Sequence, residues 1–252
     1  MPDVHLMHKV LALVASCAVL TACGGSPPTT PSKLPTLSRT RFLAFGDSLT
    51  AGEVTVPLGT VPGLRGAGVL NPPSLRMLVV PAASYPTQLL PLLRARYPAQ
   101  FPSITNAGVP GEYSFQGVQR LPSEMAASSP DVVLLLEGIN DLPFGNTDLP
   151  AGSLQTMAAD AKRRGAVVLL STMMPGKPGG RNTQNVALVE ELNAKIKMIA
   201  AVEGVVLVNL YDQLLPEAST LIGSDGLHPT EAGYKRMADV FFAAIQATLE
   251  MK

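Results

Sequence analysis

Tryptophan is absent from this chain of 252 residues, and its two cysteines, Cys17 and Cys23, both lie near the start. Beyond Cys23 there is therefore no disulfide, no thiol nucleophile and no cysteine-held metal. Histidine is almost as scarce. His5 and His8 share that leading segment, which leaves His228 as the one imidazole of the remaining chain. One histidine among scattered carboxylates lacks metal-ligand spacing, so neither a metal nor another cofactor is expected. Charge is not in excess of either sign, with 19 basic and 19 acidic residues and no blocks of like charge. Domains that bind nucleic acid are usually strongly basic, so no nucleic-acid partner is expected. The missing tryptophan also argues against a broad aromatic platform for stacking sugars.

What is present begins with a segment that reads as an export signal. Lys9 precedes the apolar run Val10–Leu20, which is too short to span a bilayer as a stable helix and ends in small residues. Leu20-Thr21-Ala22-Cys23, just before Gly24, resembles the lipobox of bacterial lipoproteins. That resemblance implies a signal peptide over residues 1–22 and acylation of Cys23 as the new first residue. The mature protein is then expected outside the inner membrane, anchored by lipid, with an outer membrane as one possible seat. Residues 23–40 are rich in Ser, Thr, Pro and Gly, and read as a flexible tether that buries too little surface to offset its ordering entropy.

Residues 41–252 read as one domain in which short apolar runs alternate with helical stretches. Strands are expected at Arg41–Phe45, Ser103–Asn106, Asp131–Leu136, Ala166–Ser171 and Val205–Asn209. Helices are expected at Pro86–Tyr97, Ser114–Ala127 (kinked at Pro122), Leu154–Arg164, Val186–Val202 and from Glu231 onward. Leu188, Leu192, Ile196 and Ile199 mark one face of the fourth, and Met237, Phe241, Ala244 and Ile245 that of the last. Alternation of this kind implies an α/β fold, a parallel sheet with helices on both faces. The proline- and glycine-rich interval at about 53–84 does not fit the alternation and reads as an inserted loop. Its apolar piece, Leu75–Val80, is read either as core of a small subdomain or as a wall of the substrate pocket.

In an open parallel sheet, ligands bind beyond the carboxyl ends of the strands. Polar clusters occur where those ends are expected: Gly46-Asp47-Ser48-Leu49-Thr50, Asn106-Ala107-Gly108, Gly138-Ile139-Asn140-Asp141 and, before the last helix, Asp225-Gly226-Leu227-His228-Pro229. Nucleophilic catalysis needs a nucleophile, a base, an orienting acid and donors for an oxyanion. Ser48, His228 and Asp225 are the candidates for the first three. Asp47 reads as a brace for its turn and Asp141 as a support of its loop. Asp212 competes as the acid, although its spacing from His228 gives no local reason to prefer it. No phosphate-cradling loop is present, because Gly46-Asp47-Ser48 lacks the P-loop lysine.

These four blocks, in this order from Arg41 to the C-terminus, resemble the GDSL, or SGNH, hydrolase family. The resemblance implies a flavodoxin-like three-layer α/β/α sandwich with a five-stranded parallel sheet. It also implies a serine esterase or lipase in which Ser48 is the nucleophile, His228 the base and then acid, and Asp225 the group that orients it. The oxyanion hole is implied at the Ser48 and Gly108 N–H groups and the Asn140 side-chain amide. Small esters, acetylated glycans and lysophospholipid-like molecules are all expected as substrates. An O-acyltransferase acting on a surface glycan, and a non-catalytic surface lipoprotein, are the rival readings.

Overall fold

A computed structural model describes residues 34–57, 75–180 and 185–251. The expected signal peptide and Cys23 lie outside the described residues, as do most of the tether and the middle of the inserted loop. In chain order the strands are β1 Thr36–Leu37, β2 Arg41–Gly46, β3 Glu53–Pro57, β4 Leu75–Val79, β5 Ser103–Gly108, β6 Val132–Leu136, β7 Val167–Ser171, β8 Val206–Val208 and β9 Glu250–Met251. The α-helices are α1 Ser48–Ala51, α2 Tyr85–Arg96, α3 Ser114–Ser128, α4 Asp148–Arg163, α5 Val186–Glu203, α6 Leu210–Leu214, α7 Ala218–Leu221 and α8 Glu231–Leu249.

Five strands form a parallel sheet in the order β5-β2-β6-β7-β8. This is the flavodoxin-like arrangement, with the chain reversing direction across the sheet at β2. Helix α2 packs on α8, while α3, α4 and α5 pack in succession on one another, so helices flank the sheet as two layers. A strand covered on both faces reads as a continuous apolar run. Val132–Leu136 is such a run, and all five side chains are buried. The helical stripes follow the same logic. Met237, Phe241 and Ile245 of α8 are fully buried, as are Leu192 and Ile196 of α5, whereas Leu188 and Ala244 are only partly covered.

Two features depart from the sequence reading. Residues 34–40, taken as the end of the tether, belong to the fold. Strand β1 pairs antiparallel with β9 at the far end of the chain, and Leu37 is buried. Gln100 holds the Leu37 backbone at both its N–H and its carbonyl, the latter at 2.8 Å. One buried leucine and a two-residue pairing are too small a signal to stand out in a proline-rich stretch. The second departure is the insertion, whose ends are structured: β3 and β4 pair antiparallel, from Glu53 opposite Val79 to Pro57 opposite Leu75. Met77, Val79 and Val80 at this hairpin are exposed, and the rest of the insertion lies outside the described residues.

Glu137, directly after β6, is fully buried, and its Oε1 accepts the Gly138 N–H at 3.2 Å. Its Oε2 has no hydrogen-bond partner among the described residues. Burial, and then the negative charges of Asp47 and Glu112, push its pKa well above the ordinary glutamate value. Below that ordinary value the side chain is protonated in both folded and unfolded chains and costs nothing. As pH rises above it the unfolded chain ionises first, so stability is lost. Glu137→Gln keeps the acceptor and removes the charge. The variant is expected to melt close to wild type near pH 4 and above it near pH 8, by roughly 2–4 °C for each kcal/mol relieved. Thermal melts across that range check it, and a gap that shrinks with rising pH contradicts it.

Candidate active site

The carboxyl ends of β2, β5 and β6 lie level, because Gly46 pairs with Gly108 on one side and with Leu136 on the other. Beyond β2 the chain turns at once into the four-residue helix α1, which begins with Ser48. Asp47 caps this helix, its Oδ1 accepting the Leu49 N–H at 2.9 Å. The expected bracing role of Asp47 is therefore visible in the geometry. The cost is also visible, since its Oδ2 is buried without a hydrogen-bond partner among the described residues. Burial raises the Asp47 pKa to about 7 against the opposing Leu49 N–H bond.

Ser48 and His228 are each 2% exposed, and Ser48 Oγ lies 2.9 Å from His228 Nε2. On the other side of the ring, Nδ1 lies 2.6 Å from Asp225 Oδ2. Asp225 Oδ1 accepts the backbone N–H groups of Leu227 and His228, each at 3.0 Å. The pairing implies a proton on Nδ1 and a lone pair on Nε2 facing the serine. Burial alone would raise the Asp225 pKa, but the bonds from His228 and the Leu227 N–H outweigh it and lower the pKa to about 2. Asp225 therefore stays an anion at any pH at which the ring works as a base. Asp212, the competing acid, stands on α6 bonded to Asn209 and 3.8 Å from Lys197, in an unrelated cluster.

The loop that carries His228 is held at both ends. The Gly223 N–H donates to the His228 carbonyl at 2.7 Å, and Ile222 bridges Pro229. Two residues on, Thr230 caps α8 by accepting the Gly233 N–H at 3.1 Å.

The three groups implied as oxyanion donors stand in different states. The Ser48 N–H is the first of α1 and has no intrahelical acceptor by construction. The Asn140 amide donates one hydrogen to the Glu112 carbonyl at 2.9 Å, which leaves its second hydrogen free of that bond. The Gly108 N–H, by contrast, donates to Asn106 Oδ1 at 3.0 Å and is not available to an oxyanion in this arrangement. Glycine is needed at 108 for a different reason. A Cβ there would stand 2.1 Å from the Ala51 nitrogen, so any side chain would push α1 off β5.

Sequence reasoning passed over Gly111, three residues further on. Val109-Pro110-Gly111-Glu112 is a turn closed by the Glu112 N–H on the Val109 carbonyl at 3.2 Å. Gly111 sits at φ +76°, the left-handed geometry that suits glycine after proline in a type II turn. Its N–H meets no protein acceptor among the described residues, and it adjoins the Glu112 carbonyl that holds Asn140. The proline-glycine pair was the available signal. Asp141 supports the Asn140 turn, accepting the Ser114 N–H and hydroxyl, each at 2.9 Å.

A second carboxylate faces the imidazole that the motif reading did not include. Glu53 opens β3, and its Oε2 lies 3.6 Å from His228 Nε2. Aromatic rings collect at the Asn140 turn. Tyr113 stacks on Phe115 at 5.9 Å and meets Phe144, at the end of the Asn140 turn, at 5.6 Å. Among the described residues no group of three or more His, Cys, Asp or Glu is arranged to hold a metal ion.

The sequence profile of the GDSL-like lipase/acylhydrolase family matches residues 44–236, more than half of the chain. Esterase TesA of Pseudomonas aeruginosa is 27% identical over 151 residues, which cover 58% of this chain and 71% of that protein. Among solved structures, the fold is similar to a lipase/acylhydrolase from Enterococcus faecalis, with a TM-score of 0.63 and 20% identity over 84% of this chain and 98% of the other. It is similar also to an acetylxylan esterase from Geobacillus stearothermophilus, with a TM-score of 0.63 and 22% identity over 82% and 94% of the two chains. With its sheet order, its strand-end motifs and the profile match in agreement, the chain belongs to the GDSL-like lipase/acylhydrolase family and is a carboxylic ester hydrolase.

Proposed function

We propose that this protein is an exported, lipid-anchored serine esterase that hydrolyses carboxylic esters through an acyl-enzyme. The observation that carries the reading is the unbroken chain from Ser48 Oγ to His228 Nε2 at 2.9 Å and from Nδ1 to Asp225 at 2.6 Å. His228 takes the serine proton as Oγ attacks the ester carbonyl. The tetrahedral oxyanion is held by the Ser48 N–H and the free hydrogen of the Asn140 amide. The Gly111 N–H is the third donor in place of Gly108, whose N–H is occupied by Asn106. The protonated ring then gives its proton to the leaving alcohol and next draws one from water, while Asp225 remains charged throughout.

Esters of apolar acyl chains suit the surroundings better than a bare acetyl group. Phe144 and Phe115 are 72% and 45% exposed beside the Asn140 turn, and Met77 and Val79 line an exposed hairpin that starts next to His228. An acyl chain laid over either surface removes apolar area from water. The location rests on the Lys9–Cys23 pattern, which lies outside the described residues.

Ser48→Ala or His228→Ala is expected to lower kcat on a nitrophenyl ester by roughly 10⁴-fold or more. Asn140→Ala should cost about 10²–10³-fold. Turnover of Ser48→Ala at the wild-type level, or failure of a fluorophosphonate to label the wild-type protein, would dispose of the reading. Across esters from two to twelve carbons, Phe144→Ala should lower kcat/KM for the longer chains and leave the acetyl ester nearly unchanged; a uniform effect counts against the aromatic surface. In a bacterial host, Cys23→Ala should move the protein from the membrane to the soluble fraction, whereas unchanged retention contradicts the anchor.

A further inference from the structure

Among the described residues, Glu53 is a charged group beside the Ser48–His228 pair that neither the fold nor the hydrogen-bonded triad explains. Its side chain is 12% exposed, and among the described residues its one ion-pair partner is His228. No lysine or arginine lies within ion-pair distance of it among the described residues, so no dedicated cation accounts for its position beside the ring. It is also firmly placed. Gly52 ends α1 in a left-handed conformation, so the helix that begins with Ser48 delivers Glu53 immediately past its end. The Glu53 carbonyl accepts the hydroxyl of Tyr234 at 2.6 Å, and Tyr234 stands on α8, just beyond the His228 loop. Serine, imidazole and carboxylate are thus tied to the same two helices.

The Glu53 Oε2 to His228 Nε2 distance of 3.6 Å is too long for a direct hydrogen bond. The two atoms are close enough for one water, seated off the line between them, to touch both. Nε2 is also the atom that faces Ser48 Oγ, so a water held there lies beside the carbon that the serine carries once acylated. Resting on the acyl-enzyme reading above, we propose that Glu53 positions the water that releases the acyl group. The water oxygen bonds to the acyl carbon, one of its protons passes to His228 Nε2, and the other stays on the oxygen, directed at Glu53. Glu53 remains a carboxylate. When the tetrahedral intermediate collapses, the bond from carbon to Oγ breaks, the ring returns its proton to Oγ, and the carboxylic acid departs.

This assigns Glu53 to the second half of the reaction alone. A carboxylate that merely favoured the charged imidazole would assist acylation and deacylation alike, because the ring is protonated in both.

Stopped-flow hydrolysis of nitrophenyl butyrate by wild type, Glu53→Gln and Glu53→Asp, with intact-mass analysis of quenched samples, separates the cases. For Glu53→Gln the expected burst rate and kcat/KM stay within about two-fold of wild type, while kcat falls roughly 10- to 10²-fold. KM should fall with kcat, and a butyryl adduct on Ser48 should accumulate. Glu53→Asp should fall between, and hydroxylamine, a stronger nucleophile than water, should restore turnover in Glu53→Gln. Equal losses in kcat and kcat/KM, or unchanged kcat, overturn the role of Glu53 and leave Ser48 catalysis standing. If Glu53→Gln does not fold, the Asp variant and hydroxylamine decide: acyl release as fast as wild type, or a slow release that hydroxylamine does not speed, is equally fatal to it. Wild-type turnover by Ser48→Ala, with no acyl adduct on the wild type or on either Glu53 variant, removes the acyl-enzyme reading, and this proposal with it.

Discussion

The imidazole of His228 is buried with one nitrogen against a carboxylate and the other against a hydroxyl that lies 180 residues away in the chain. A buried ring nitrogen without a partner costs free energy, and a misplacement of one ångström breaks either bond. Much of the surrounding architecture can be read as meeting that tolerance. The parallel register of β2 with β5 and β6 sets where Ser48 emerges. The cap of α8 at Thr230, the Ile222–Pro229 bridge and the bond from Gly223 set where His228 hangs. Glycine at 108 lets the serine helix sit directly on the neighbouring strand, where any side chain would collide with the Ala51 backbone.

Behind the serine turn the protein accepts an electrostatic cost. Asp47, Glu112, Glu137 and Asp141 are all buried there, and burial raises the pKa of Asp47, Glu137 and Asp141. Arg120 offsets part of this. It forms a two-pronged ion pair with Glu112, donates to the Gly46 carbonyl at 3.3 Å and lies 4.1 Å from the centre of the Phe45 ring. Three of the four carboxylates accept a backbone N–H at the start of a turn or helix beyond a strand end. Asp47 holds Leu49, Glu137 holds Gly138, and Asp141 holds Ser114. Rigid placement of the strand-end loops is gained for lost stability, a common exchange near sites that do chemistry.

Individual elements show how far the chain could be read in advance. Val132–Leu136 and the stripe through Met237, Phe241 and Ile245 were plain, since burial on both faces or on one helical face imposes a repeating apolar pattern. Strand β1 was not, because a two-residue pairing with a partner at the opposite end of the chain leaves no periodicity to detect. The glycine of the second motif was identified by its neighbours in sequence. Which backbone N–H is free there depends on where the Asn106 side chain turns, and Asn106 answers to contacts with Thr50 and Ser84.

The amino-acid sequence by itself determined the alternation of strands and helices, the strand ends at which polar groups gather, and the single imidazole available beyond the leading segment. Those are consequences of local periodicity and of residue type, which need no knowledge of distant contacts. Only the tertiary structure decided that Glu53 faces the same ring as Ser48, that Gly108 is a packing residue with its N–H already spent, and that residues 34–40 close the fold against the C-terminal strand. Each of these turns on a separation of a few ångströms between segments that are remote in the chain or folded back on themselves, and no pattern along one strand or helix encodes such a distance.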